Sequence, residues 1–391
     1  MNVTVFPAYN GDCLFIETDL STILIDGGYV DTYKKFIKPK LAELKERGKT
    51  ISHVIVTHID SDHISGIVKL IEENKNNDLI EIESFWHNSF NIIRNLDDGL
   101  SFKGKPISEL AINYVLKEDI QTTVKDISAV QGSTLASLLK KYNHNWNTAF
   151  KNNLVSTDSE IEIVSKDMTF KILSPDNNVL KELKTYWKRE IFKKGFSSDE
   201  DLVEFNEDAF EYILSLEKQK KRLAKKNISS SALKDIDGLL AEDFWEDDTP
   251  TNGSSIAFII ENGGHKLLFL ADSHPSIIAK SLRKLYQEAD FPVKFDLIKI
   301  AHHGSKYNTS PELLSLIDSE NYIFSTNGLA HEHPDKETIA RIISRPSDFN
   351  RTLYFNYELE ILNDFKDQNL MDKYNFKIVE ASDGKPLEFN F

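Results

Sequence analysis

The stretch "VIVTHIDSDHISGI", residues 54–67, places four ionisable side chains within six residues: His58, Asp60, Asp62 and His63. A β-branched run precedes this cluster, and apolar residues at helical spacing follow it. The pattern predicts a strand that ends at the cluster and a helix that begins within it. Ligand-binding groups of α/β proteins gather at the carboxyl ends of strands, so the cluster indicates a functional site.

Other predicted strands also end in histidine or aspartate. Asp26 ends "STILID", His87 ends "IEIESFWH", Asp272 ends "KLLFLAD", and His302 and His303 follow "FDLIKIA". Neutral imidazole nitrogens and carboxylate oxygens are the usual protein ligands of divalent metals. If the strand ends converge, the sequence predicts a metal centre at one edge of the fold.

Each of these residues also has a purely structural interpretation. Asp60 or Asp62 can cap the helix that follows, although a cap needs one acid rather than two acids and two histidines. His302 and His303 alone would fit a polar strand end. His87 is either at the rim of the site or structural, and His333, in "HEHPD", is either a substrate contact or part of a helix N-terminal turn.

Composition narrows the class of protein. Of the 391 residues, 40% are hydrophobic and 28% charged, which is typical of a soluble globular protein. The formal net charge of −15 argues against a general nucleic-acid coat protein, which would be basic. Cys13 is the single cysteine, and the apolar runs are too short to span a bilayer. We therefore expect a cytoplasmic protein that does not contact a membrane.

The chain reads as one domain, residues 1–391, with two additions. A helical and loop-rich elaboration covers about 91–153, and a charged helical insertion covers about 176–248. The insertion holds two basic blocks, "KELKTYWKREIFKK" (181–194) and "KQKKRLAKK" (218–226). Its helices either form a solvated pair or a lid that contacts nucleic acid through charge and aromatic stacking by Tyr186, Trp187 and Phe192. A protein partner for the insertion is a further option.

The motifs "THIDSDH" with "ISG", "FLADS" and "AHHGS" resemble those of the metallo-β-lactamase fold superfamily. Within it, an early Gly-Asp turn at residues 11–12, "IDGG" at 25–28 and "GSS" at 253–255 are most similar to the hydrolase domain of ComEC-type competence proteins and their stand-alone relatives. The resemblance implies an αββα sandwich of the metallo-β-lactamase type, with the metal site at one edge of the two sheets.

The resemblance also implies roles for single residues. It makes His58 and Asp60 ligands of a first metal, Asp62 and His63 ligands of a second, Asp272 the bridging carboxylate and His302 the late histidine ligand. Those expected to act in catalysis or to contact the substrate are Asp62, His303, His87 and His333. His303 is either a ligand or a transition-state contact, and His87 is the nearest candidate for a mid-chain ligand.

Asp60 stands where the wider superfamily has histidine. A carboxylate makes the site harder, which moves its preference from Zn²⁺ towards Mn²⁺, with Mg²⁺ as a further option. Two divalent ions and the three carboxylates of Asp60, Asp62 and Asp272 leave a net charge of about +1.

These features predict a metal-dependent hydrolase whose two divalent ions activate a bridging water. The favoured substrate is a phosphodiester, nucleic acid included, as for a nuclease or phosphodiesterase. The alternatives are a hydrolase of a small ester, thioester or lactam, and a metal-binding partner or regulator with little turnover. The sequence gives no oligomeric state.

Overall fold

Two β-sheets lie face to face in the computed structural model of the chain, which describes residues 1–93, 96, 135–193, 235–329, 332–382 and 384–391. The sheets have the strand orders β16-β1-β2-β3-β4-β5 and β15-β14-β13-β11-β9-β8-β7-β6, and β10 pairs with β12. The strands are β1 (Asn2–Val5), β2 (Leu14–Glu17), β3 (Thr22–Ile25), β4 (His53–Ile55), β5 (Phe85–Trp86), β6 (Glu162–Ser165), β7 (Met168–Ser174), β8 (Ala257–Asn262), β9 (His265–Phe269), β10 (Val293–Phe295), β11 (Leu297–Lys299), β12 (Ile317–Ser319), β13 (Asn321–Phe324), β14 (Arg351–Phe355), β15 (Phe376–Glu380) and β16 (Leu387–Asn390).

Helices cover the outer faces of both sheets. The α-helices are α1 (Val30–Thr32), α2 (Lys38–Glu46), α3 (Ser61–Asn77), α4 (Phe90–Ile93), α5 (Leu135–Lys141), α6 (Asn177–Lys193), α7 (Ile236–Leu240), α8 (Pro250–Gly253), α9 (Pro275–Leu285), α10 (Pro311–Leu316), α11 (Lys336–Ile343) and α12 (Gln368–Tyr374). A π-helical segment, Tyr33–Ile37, joins α1 to α2, and 3₁₀ turns lie at Lys151–Asn153, Glu288–Asp290, Ala301–Gly304 and Glu360–Phe365. No helix in the described ranges combines the length and apolar character that crossing a membrane requires.

Three hydrophobic clusters hold the layers together. The central one joins the inner faces of the two sheets, with Ile16 and Ile55 from the first and Phe258 and Ile323 from the second. A second cluster packs α2, α3 and α5 on the first sheet, and a third packs α9, α10 and α11 on the second. The order helix, sheet, sheet, helix confirms the predicted αββα sandwich.

Parallel pairing aligns the strand ends that carry the polar residues. In the first sheet β3, β4 and β5 run parallel, and in the second β9, β11, β13, β14 and β15 run parallel. The carboxyl ends of β3, β4, β9 and β11 lead directly into Asp26, His58, Asp272 and His302, respectively. Each sheet therefore contributes polar side chains to one edge of the sandwich.

The N-terminus of α3 docks directly on the turn after β3. Gly27 N donates to His63 O at 2.8 Å, and Gly66 N donates to Gly28 O at 2.9 Å. A Cβ on Gly66 would lie 2.0 Å from Gly27 O, closer than any real contact. Only glycine at position 66 allows this approach, which holds the first turn of α3 and its His63 against the strand end.

In the described part of the insertion, α6 and α7 are helical and residues 241–248 are not, and one predicted contact is wrong. Trp187 on α6 is buried and packs edge-on against Phe90, with ring centroids 5.4 Å apart. It belongs to a cluster with Leu180 and Leu183, so it cannot stack on a nucleic acid. The physical reason is that these three residues lie on one face of α6, and that face packs against a hydrophobic cluster.

The remaining segments of the two additions fall outside the described ranges. These are residues 94–95 and 97–134 of the elaboration and 194–234 of the insertion, including the second basic block, 218–226. The lid hypothesis for that block stays a prediction.

Replacing Gly66 by Ala should destabilise the protein by about 2–3 kcal/mol, because the new Cβ must push α3 away from backbone. Urea unfolding measures the loss. Gly48→Ala is the control: no atom lies within 4 Å of a Cβ there, so only its positive φ of 66° costs stability, about 1 kcal/mol. Equal losses in the two variants would contradict the close-approach argument.

Candidate metal centre

Four imidazoles converge on one carboxylate oxygen. Asp272 Oδ2 lies 3.6 Å from His58 Nε2, 3.7 Å from His63 Nε2, 3.7 Å from His302 Nε2 and 3.9 Å from His303 Nε2. The His58 Nε2 atom also lies 3.4 Å from Asp60 Oδ2. These separations exceed hydrogen-bond length and suit groups that share a cation between them.

Each imidazole is held through its other nitrogen, which fixes its orientation. His63 Nδ1 donates to Asp26 Oδ2 at 2.8 Å, and His303 Nδ1 donates to the Ser325 carbonyl at 2.8 Å. His302 Nδ1 lies 2.9 Å from Asn308 Oδ1. Acceptors at Nδ1 place the proton there and leave the Nε2 lone pair facing Asp272, the arrangement of a metal-binding histidine.

His58 is oriented by a two-step relay. Thr57 Oγ1 donates to Asp26 Oδ2 at 2.7 Å, so its lone pair accepts from His58 Nδ1 at 3.1 Å. Thr57 N also donates to Asp26 Oδ1 at 2.8 Å. The buried Asp26 carboxylate therefore orients His58 and His63 together.

The donor atoms fit divalent metals. The atoms His58 Nε2, His63 Nε2, His303 Nε2 and Asp272 Oδ1 are buried and have no hydrogen-bond partner among the residues described. Such atoms are costly to bury unless something else satisfies them. Two groups, His58 with His63 and Asp272, and Asp62 with His63 and His303, each bring one ligand atom per residue within 4.8 Å of one another.

Asp60 and Asp62 extend this donor set. Asp60 occupies the N-cap position of α3, but its side chain makes no capping hydrogen bond. Its carboxylate lies beside His58 instead, which disfavours the interpretation of Asp60 as a helix cap. Asp62 accepts from Asn10 Nδ2 at 2.6 Å, and this bond orients its carboxylate.

Charge interactions prepare the centre for cations. Burial alone would raise the pKa of Asp272, but the surrounding imidazoles, His302 first, hold it well below its usual range. Burial lowers the pKa of His303 well below the ordinary value. Burial also lowers the pKa of His63, but Asp26 and Asp272 outweigh it and raise the value to about 10. An ionised Asp272 and a neutral His303 are the forms that bind a metal.

The structure corrects the charge count made from the sequence. Five buried carboxylates surround the centre, those of Asp12, Asp26, Asp60, Asp62 and Asp272. The buried ammonium of Lys299 pairs with Asp12. With neutral imidazoles the formal charge is −4, so two divalent ions bring it to zero rather than to about +1. The difference is Asp26, which the sequence places at a strand end but which the count of three carboxylates left out.

Two predicted site residues lie outside the convergent group. His87 is buried, its ring is stacked 6.5 Å from that of Trp146, and burial lowers its pKa to about 4. The His333 ring centroid lies 5.1 Å from that of His302, and its Nδ1 lies 3.3 Å from Asp335 Oδ2. His333 therefore sits at the edge of the centre, and the roles of both histidines stay predictions.

Sequence reasoning missed several residues that support the ligands. They are Thr57, Asp247, Lys299, Asn308 and Ser325. Lys299 was detectable as a charge inside the apolar run "LIKIA". Asn308 Nδ2 donates to Asp272 O and Asp247 Oδ2, both at 3.1 Å, but nothing in its local sequence indicates this.

Comparison with known proteins agrees with this architecture. The model of the metallo-beta-lactamase superfamily matches residues 7–85, which include β3, β4 and the start of α3. This sequence match is confined to the N-terminal part of the chain, and the αββα sandwich described above is the layer order of the metallo-β-lactamase fold. The match suggests a metal-dependent hydrolase, and the His and Asp clusters are groups that could hold the metal.

The solved structures that match the chain have low sequence identity to it. YhfI from Bacillus subtilis, a metallo-beta-lactamase fold protein, is 11% identical over 99% of both chains, with a TM-score of 0.35. Zn²⁺-bound PqqB from Methylobacterium extorquens is 10% identical over 100% of both chains, also with a TM-score of 0.35. Scores this low add no argument about function. No curated protein matches the chain.

Removing the Lys299 ammonium should be strongly destabilising. Lys299→Met leaves the Asp12 carboxylate buried without its partner, so we expect a loss of about 3–5 kcal/mol in urea unfolding. Arg283→Met is the matched control, because its pair with Glu312 is exposed and contributes at most about 1 kcal/mol. If both variants lose the same free energy, the buried pair is not a stabilising element of the centre.

Proposed function

We propose that the protein is a dinuclear metal-dependent phosphodiesterase that acts on nucleotide-type phosphodiesters. The observation that carries the proposal is the convergence of four imidazole Nε2 atoms on Asp272 Oδ2 at 3.6–3.9 Å. One carboxylate faced from several directions by imidazole nitrogens is suited to bridging two cations.

The ligands divide into two sets around Asp272. In this proposal His58, Asp60 and His302 hold one ion, and Asp62, His63 and His303 hold the other. The division is supported by the 3.4 Å approach of Asp60 to His58 and by the convergence of Asp62, His63 and His303. When bound, the ions supply Lewis acidity and lower the pKa of water to make a nucleophile.

The chain's own residues orient this chemistry. Asp26, Thr57, Asn308 and Ser325 hold the imidazoles so that their lone pairs face inward. His302 is the most exposed of the four, with 21% of its side chain accessible, whereas the side chains of the others are at most 5% exposed. Substrate therefore approaches the centre from the side of His302. The ring of His333 packs against that of His302, so His333 can position the substrate.

The donor chemistry favours a phosphodiester over a carboxylic ester or lactam. Asp60, Asp62 and Asp272 supply oxygen ligands, which suit Mn²⁺ and Mg²⁺, and these ions also bind phosphate oxygens well. The net charge of −15 opposes long polyanions, so a short nucleotide diester fits better than a long nucleic acid.

A metal-dependent activity assay tests the proposal. Mn²⁺-loaded protein should bind about two ions per chain and hydrolyse methyl p-nitrophenyl phosphate. Asp272→Asn should lose at least one of the two ions and reduce kcat at least 100-fold, because its charge serves both sites. Elemental analysis measures the ions and p-nitrophenol release measures the rate. Asp296→Asn, a change of an aspartate that bonds His265 outside the centre, is the control.

Other outcomes decide between the remaining functions. Hydrolysis of nitrocefin or p-nitrophenyl acetate without hydrolysis of the diester would replace the proposal by an ester or lactam hydrolase. Full metal loading with no turnover of any substrate would indicate a metal-binding partner or regulator. Unchanged metal content in Asp272→Asn would refute the bridging role.

Metal preference tests the role of Asp60 separately. Activity with Mn²⁺ should exceed activity with Zn²⁺ in the wild type, and Asp60→His should narrow or reverse that order, because imidazole is the softer ligand. The substitution removes no cap hydrogen bond. Ser61→Ala, beside it, should keep the wild-type order. A wild type that works best with Zn²⁺ would contradict the argument.

A further inference from the structure

A surface cavity with two exposed aromatic side chains is formed by segments that also contact His302. It has a volume of about 330 Å³ and is lined by Glu242, Asp243, Trp245, Lys306, Tyr307 and Arg341. This volume is at the lower end of the range for small-ligand pockets. Trp245 is 71% exposed and Tyr307 44% exposed, values unusual for residues of this size. We call this feature the aromatic cavity.

The two cationic side chains that line the aromatic cavity, Lys306 and Arg341, already have bonding partners within the protein. Lys306 Nζ pairs with Glu337 at 2.6 Å and with Glu242 at 3.2 Å. Arg341 Nη1 donates to the carbonyls of Lys306 and Thr309 at 2.7 and 3.0 Å. These bonds fix the walls of the cavity and leave neither cation as a dedicated phosphate ligand.

The aromatic cavity is connected to the metal centre through the support of His302. Tyr307 precedes Asn308, whose side chain bonds His302, and Trp245 lies two residues before Asp247, which is 3.8 Å from His302 Nδ1. The backbone N of Asp247 donates to Tyr307 O at 3.0 Å, which joins the two segments. The two segments that carry Tyr307 and Trp245 therefore both support His302, the most exposed imidazole of the centre.

Charge decides which part of a substrate each region takes. Acidic residues dominate the segment "EDFWEDD" (242–248), which disfavours a phosphate in the aromatic cavity. Exposed aromatic rings instead favour a planar, uncharged group. The exposed carboxylate of Asp243 can accept hydrogen bonds from N–H groups of that planar group. A phosphodiester held at the metals would leave such a group of the same molecule within reach of the rings.

We propose that the aromatic cavity binds the base of a nucleotide substrate by stacking on Trp245 and Tyr307. This inference rests on the proposed phosphodiesterase function and deepens it, because it assigns substrate specificity to residues outside the metal ligands. The metals act on the phosphodiester group, and the aromatic cavity distinguishes a nucleoside ester from a simple alkyl ester.

Two chromogenic diesters with one leaving group test the proposal. The wild type should prefer the p-nitrophenyl ester of thymidine 5′-monophosphate over methyl p-nitrophenyl phosphate in kcat/KM. Trp245→Ala and Tyr307→Ala should each lower that preference about tenfold, mainly through a higher KM for the thymidine ester. Leu20→Ala is the control: it removes an exposed apolar side chain (65%) from the turn before β3, opposite the end that carries Asp26.

A binding titration separates this proposal from the proposed function. Thymidine, which has no phosphate, should quench Trp245 fluorescence saturably in the wild type, and Tyr307→Ala, which keeps the reporter, should weaken that binding about tenfold. Hydrolysis of neither diester with intact thymidine binding would refute the phosphodiesterase alone. Equal kcat/KM values for both diesters in the wild type, or an unchanged preference and unchanged thymidine binding in Tyr307→Ala, would overturn the base-binding proposal.

Discussion

The Asp272 carboxylate is the constraint around which the rest of the structure is organised. It is fully buried, and the nearest groups around its Oδ2 atom are imidazole nitrogens whose protons are directed elsewhere. An ionised carboxylate in such surroundings needs compensating positive charge close by. Three other features depend on this site: the orientation of each histidine, the burial of Asp26 and the pairing of Lys299 with Asp12. Together they form a small buried site whose donor atoms suit cations.

Backbone geometry makes that concentration of charge possible. The strands that end at the centre run parallel within each sheet, so their carboxyl ends present side chains at one edge. The first turn of α3 lies against the β3 turn through hydrogen bonds at Gly27 and Gly66. Without glycine at that approach His63 could not reach both Asp26 and Asp272. Packing thus fixes where the candidate ligands of α3 lie relative to the end of β3.

Local sequence patterns predicted much of the fold and several of the candidate ligands that the structure brings together, but not the residues that support them. Alternation and turn residues identified the β8–β9 hairpin, and strand-end polarity identified His58, Asp272 and His302. Long-range pairs were invisible, since Lys299 and Asp12 are 287 residues apart. The burial of Trp187 was not predicted, because its sequence block is dominated by charged residues. The apolar spacing of Leu180, Leu183 and Trp187 on one helix face is the signal that indicates burial.

The division of the centre between two sheets affects how the chain folds. His58 and His63 extend from the first sheet, and Asp272, His302 and His303 extend from the second. Local pairing forms hairpins early, whereas this ligand set exists only after the two sheets have docked through their shared core. In the proposed metal-bound protein, cation affinity would therefore be gained in the last stage of folding. Bound metal would then slow separation of the two sheets rather than fraying within either one.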